Sequence, residues 1–92
     1  MREAVIVAAT RTPIGRARKG SLVDARPDDL AAFAIDSALK QVPELDRSEI
    51  VDVMVGCGFP QDKQGMNLGR RVALLAELPE SVPGTTVNRF CA

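Results

Sequence analysis

The chain has 92 residues, nearly half of them hydrophobic, with three Phe as its only aromatic side chains and no histidine. Such a composition excludes disorder and points to one small unit with an aliphatic core. Basic and acidic residues balance at twelve each, which leaves no electrostatic footprint for nucleic acid or an anionic membrane. No apolar run approaches the roughly 20 residues of a membrane span.

The opening "MREAVIVAATRTPIG" holds too short an apolar run for a secretory leader and continues into Arg11 instead of a cleavage site. Within it, Ala4–Ala8 is a continuous apolar, β-branched stretch and reads as a strand buried on both faces. A long loop follows, broken at Pro13, Gly15 and Gly20. A helix is expected from Pro27, with Asp28 and Asp29 near the positive end of its dipole. Its apolar stripe is Leu30, Ala34, Ala38 and Val42, widened by Phe33, Ile35 and Leu39, and Pro43 stops it.

Asp46–Glu49 has the form of a capping box and predicts a single turn before a strand at Val51–Val55. Past Gly56-Cys57-Gly58 comes a loop with Pro60 and Gly65. Asn67 then caps a second helix reaching Leu78, and Pro79 ends it. Thr85–Phe90 is the third strand. The order β-α-β-α-β, with crossovers of this length, predicts a parallel sheet of α/β type. A third strand should feed a further helix covering the second face of the sheet, so the 92 residues read as the front part of a larger domain.

Several stretches invite a functional reading. Gly15–Ser21, "GRARKGS", comes near the phosphate-binding loop GxxxxGK[ST]. Its Lys19 precedes the second glycine, where it does not reach the phosphates, and Ser21 holds the lysine's place. The basic run of Arg11, Arg16, Arg18 and Lys19 reads as a solvated loop in preference to an anion site. Neither cysteine belongs to a CxxC pair, so neither a zinc site nor a disulfide framework is expected, and no metal site. Reduced thiols fit a cytoplasmic protein. Cys57, between glycines, reads as a small buried thiol.

Cys91 stands where a strand should hand over to a helix. A thiol there faces the positive end of the helix dipole, and the carboxyl ends of parallel strands are where ligands bind. Position alone leaves nucleophile and bystander both open. Without a histidine in the chain, any Cys–His pair at this thiol must recruit its base from another chain or from a missing part of this one.

"VIVAATRTPIG" (Val5–Gly15), "GSL" (Gly20–Leu22), "QGMNLGR" (Gln64–Arg70) and above all "VNRFCA" (Val87–Ala92) resemble the N-terminal quarter of a thiolase, collinearly over nearly the whole chain. The resemblance implies an αβαβα layered domain with a mixed five-stranded sheet, of which residues 1–92 are an incomplete N-terminal part. It implies an acyltransferase acting on acyl-CoA and CoA, with coenzyme A as substrate or product and no permanent cofactor; which residues bind CoA stays unknown. Cys91 matches the nucleophile that takes the acyl group, with its backbone N–H as a donor to the oxyanion.

The resemblance further implies a homodimer or tetramer, with Thr85, Thr86, Val87, Asn88, Arg89 and Phe90 in a strand paired antiparallel with its twin. The activating histidine and second cysteine of the family have no counterpart in these residues. Met66 departs from the usual reading of the loop before Asn67, and Phe90 tilts the reading toward degradative cleavage of 3-ketoacyl-CoA. Two rivals stand beside it: a ketoacyl-synthase-like condensing enzyme, and a non-catalytic acyl-CoA or lipid-binding module of the same fold.

Overall fold

The computed structural model describes residues 1–91. Helix α1 runs Pro27–Lys40, strand β1 Val53–Gly56, helix α2 Leu68–Leu75 and strand β2 Gly84–Val87, with 3-10 turns at Arg47–Glu49 and Asp62–Gln64. The two strands pair in parallel, Val53 opposite Gly84 and Gly56 opposite Val87. The expected parallel α/β crossover is therefore present.

Local signals set the helix limits. Proline at the first position, with Asp28 and Asp29 in the first turn and Lys40 in the last, suits the dipole of α1 at both ends. Asn67 caps α2, its side chain accepting from the Arg70 N–H. Asp46 accepts from the Ser48 N–H and fixes the turn before β1.

The core is built around α2. Val72 and Ala73 are almost wholly buried, with Leu68, Ala76, Leu78, Val82, Val53, Cys57 and Ala32 around them. Helix α2 lies on both strands and α1 packs on α2. Of α1, Ala32 is buried, with Ala31, Ile35 and Leu39 against the core, while Phe33 faces outward at 61% exposure. An alanine-rich helix offers several near-equivalent stripes, so the expected Leu30–Ala34–Ala38 face is rotated in part. Ala31, Ala34 and Ala38 instead line an apolar groove of about 510 Å³ between α1 and β1.

Close approach of α2 to β2 depends on two glycines. A Cβ on Gly69 would strike the Thr85 carbonyl, and one on Gly84 the Gly69–Arg70 backbone. The second face of the sheet is uncovered among the described residues, with Met54 at 67% exposure.

Three expectations need correction. Ala4–Ala8 forms no strand among the described residues, and Val5, Ile6 and Val7 are exposed. The β-α-β-α-β order is thus realised as α-β-α-β. A strand exists only as part of a ladder, and this segment has no ladder partner; its nearest tie is Ala9, whose N–H and carbonyl both bond the Gln41 side-chain amide. The second helix stops at Leu75 instead of Leu78, because Glu77 turns left-handed at φ 59°. The third strand ends at Val87 instead of Phe90: the last pair of the ladder is Gly56 with Val87, and Phe90 is left-handed at φ 38°. No helix is long and apolar enough to cross a membrane among the described residues.

Candidate functional site

Parallel pairing brings the carboxyl ends of β1 and β2 to one edge, and each leads to a cysteine. Cys57 follows β1 directly, and its N–H donates to the Val87 carbonyl at 2.8 Å, adding one rung past the ladder. Its side chain is buried with Sγ 4.0 Å from the Gln64 carbonyl, as expected for a packed thiol. Cys91 follows β2 after Asn88, Arg89 and the left-handed Phe90, and its side chain is exposed. A cavity of about 270 Å³ lies along this edge, lined by Gly56, Cys57, Gly58, Val87, Asn88, Arg89 and Phe90. The sequence places Cys91 at the very end of a strand; in the structure a turn separates the two.

Aromatic contact shapes that turn. The rings of Phe59 and Phe90 meet edge to face, 6.2 Å between centroids and 62° between planes. The Phe59 carbonyl accepts from Gln64 Nε2 and from the Gln61 N–H, each at 2.8 Å. Arg71 of α2 reaches into the same loop and donates to the carbonyls of Lys63 and, at 3.1 Å, Gly65. Met66 is 91% exposed with φ 59°.

Behind this loop sits a buried carboxylate. Asp28 is 2% exposed and accepts from Arg26 Nε and Nη2 at 3.0 and 2.9 Å and from the Asp29 N–H, with Arg71 Nε 3.3 Å away. The Arg26 guanidinium holds its pKa below the usual carboxyl value against the opposing effect of burial, with help from the Asp29 N–H and Arg71. Sequence reading gave Asp28 only a dipole role. Its ion pair with Arg71 of α2 joins residues far apart in the chain, which no local pattern reveals.

The other candidates stay apart from this edge. Arg11, Arg16, Arg18 and Lys19 are exposed, and Gly15–Gly20 curls into a turn closed by the Gly20 N–H to the Arg16 carbonyl at 2.7 Å. No strand precedes that turn and no helix starts at it, so the cradle of a phosphate loop is not built. Of the expected contact strand, the Thr85 hydroxyl donates to the Asp52 carboxylate and the Thr86 hydroxyl to Asn67 Oδ1, while Val87, Asn88, Arg89 and Phe90 are exposed. Among the described residues no three of His, Cys, Asp and Glu gather as metal ligands.

Comparison with known proteins gives this edge its context. The family model described as "Thiolase, N-terminal domain" matches residues 4–92. A 3-ketoacyl-CoA thiolase of Bacillus subtilis (strain 168) is 47% identical over 92 residues, covering 100% of this chain and 23% of its own length. Two further proteins of that name, from Cronobacter sakazakii and Serratia proteamaculans, are 46% and 45% identical over 91 residues, 99% of this chain and 24% of theirs. The chain thus spans about a quarter of the length of the curated relatives it matches.

Proposed function

The chain belongs to the thiolase family, and on that premise we propose that the whole protein is an acyltransferase that cleaves 3-ketoacyl-CoA through a cysteine acyl-enzyme. One observation carries the reading: likeness along the entire chain to proteins named 3-ketoacyl-CoA thiolase, with Asn88–Cys91 following the carboxyl end of a parallel strand.

The Cys91 thiolate attacks the 3-keto carbon, and the negative charge passes to that oxygen. The Cys91 backbone N–H helps hold this oxyanion; loss of one such donor typically costs about 10²–10³ in rate. The C2–C3 bond then breaks, the acyl group stays on Cys91 as a thioester, and the departing acetyl-CoA carbanion takes up a proton. The thiol of CoA attacks the acyl-enzyme in turn and regenerates Cys91, the two-step logic of covalent catalysis. Run in reverse, the same steps condense acetyl-CoA with an acyl-enzyme. The histidine that activates the nucleophile in this family would come from outside these 92 residues, which hold none. Coenzyme A acts as substrate and product, without a permanent cofactor.

In the whole protein the sheet is the mixed five-stranded sheet of an αβαβα layered domain, and Ala4–Ala8 takes the free edge of β1. The apolar groove beside that edge and the Gln41 tie at Ala9 support this placement. The far edge of β2 suits pairing with a second copy, with Thr85, Thr86, Val87, Asn88, Arg89 and Phe90 at the contact of a homodimer or tetramer. Two unpaired thiols suit a reducing, cytoplasmic setting.

The test is Cys91→Ser in the full-length protein: acyl transfer falls by orders of magnitude with the fold intact. Mass spectrometry of the wild type after exposure to a 3-ketoacyl-CoA places the acyl group on Cys91 and not Cys57. Normal turnover in the serine variant refutes the assignment.

A further inference from the structure

We propose that Phe59 is a positioning residue for Cys91, its ring clamping the left-handed turn at Phe90 from which the thiol is presented; the proposal rests on the assignment of Cys91 as nucleophile. Phe90 has φ 38°, a conformation that a bulky L-residue holds only where its surroundings impose it. One neighbour holds its ring: Phe59 meets it edge to face at 6.2 Å, an arrangement with a preferred direction.

Phe59 is itself fixed to the body of the fold. Its carbonyl takes two hydrogen bonds, from Gln61 and Gln64, and the following loop is held by the Arg71 guanidinium of α2. On the other strand, the Cys57 N–H to Val87 carbonyl bond sets where β2 lets go. The turn is therefore pinned at its start by a backbone rung and at its end by an aromatic edge.

Cys91 is the next residue, so a change at the Phe90 backbone swings the sulfur directly. A reacting atom misplaced by about 1 Å costs on the order of 10²-fold in rate. Neither ring belongs to the core built around α2, so their contact acts on the geometry of the turn.

The experiment uses the full-length protein with Phe59→Leu, which keeps an apolar side chain but loses the ring, and Phe59→Tyr, which keeps the ring. Acyl-enzyme formation from a 3-ketoacyl-CoA is followed in a rapid-mixing burst, with KM and thermal midpoint measured alongside. Phe59→Leu is expected to slow the burst on the order of 10–10²-fold with KM and the thermal midpoint close to wild type, and Phe59→Tyr to stay within about twofold. An unchanged burst in Phe59→Leu overturns the clamp, as does an equal loss in Phe59→Tyr or a loss that only tracks a falling thermal midpoint. Wild-type acyl label on a residue other than Cys91 overturns the nucleophile assignment and the clamp together. Label on Cys91 with an indifferent Phe59→Leu overturns the clamp alone.

Discussion

The Thr86 hydroxyl donates to Asn67 Oδ1 at 2.8 Å and accepts from the Gly69 N–H at 2.8 Å, while Asn67 Nδ2 donates to the Gly84 carbonyl at 2.9 Å. One cap residue and one strand residue thereby fasten the start of α2 to β2. Thr86→Val keeps the shape and strands the buried Gly69 N–H, at an expected cost of about 1–3 kcal/mol; Thr86→Ser retains most of the stability. Denaturant unfolding of the full-length protein compares the two, and equal midpoints for both would discount the tie.

Gly69 sets two effects against each other. Alanine inside a helix gains about 1 kcal/mol over glycine from propensity. A Cβ at this position meets the Thr85 carbonyl, backbone that does not yield as a side-chain tip does, and overpacking costs about 1–3 kcal/mol. The close contact prevails, so Gly69→Ala destabilises, and Gly84→Ala, with no helix propensity to gain, does so more. A Gly69→Ala variant with a raised thermal midpoint would contradict the backbone contact.

Asp28 gives stability an acid limb. Its pKa is lowered in the fold, first by the Arg26 hydrogen bonds, so its contribution is present above the unfolded carboxyl value. It is lost as pH falls through the folded value. Asp28→Asn lowers stability at pH 7 and flattens the decline below about pH 4. Asp36, held low by Lys40 and Arg47, and Asp46, held low by Ser48, keep part of that slope. Denaturant midpoints at both ends of the range measure it, and parallel curves for variant and wild type would rule Asp28 out as a source.

Ile6 is 89% exposed. If Ala4–Ala8 takes the free edge of β1 in the whole protein, Ile6→Ala there costs about 2–5 kcal/mol, as for a core residue. A surface site would change by less than about 0.5 kcal/mol. Hydrogen exchange of the Ala4–Ala8 amides gives a second reading, with protection expected in the full-length protein; rapid exchange would place the segment outside the sheet.

Much of the architecture was written locally. Pro27 with Asp28 and Asp29 opens α1, Asn67 caps α2, and Asp46 fixes the turn before β1, because capping and proline act within one turn of their own backbone. The parallel relation of the two strands followed from crossover length. Resemblance over "VNRFCA" singled out Cys91, which position alone left open. Only the tertiary structure distinguished Val53–Val55, paired with β2, from Val5–Val7, unpaired among the described residues, since the two stretches look alike in sequence. It alone decided that β2 releases at Val87, that Asp28 is buried beside Arg71, and that Phe59 meets Phe90. Those outcomes depend on partners tens of residues away along the chain, and pairing and burial are energies of contact that no single segment carries by itself.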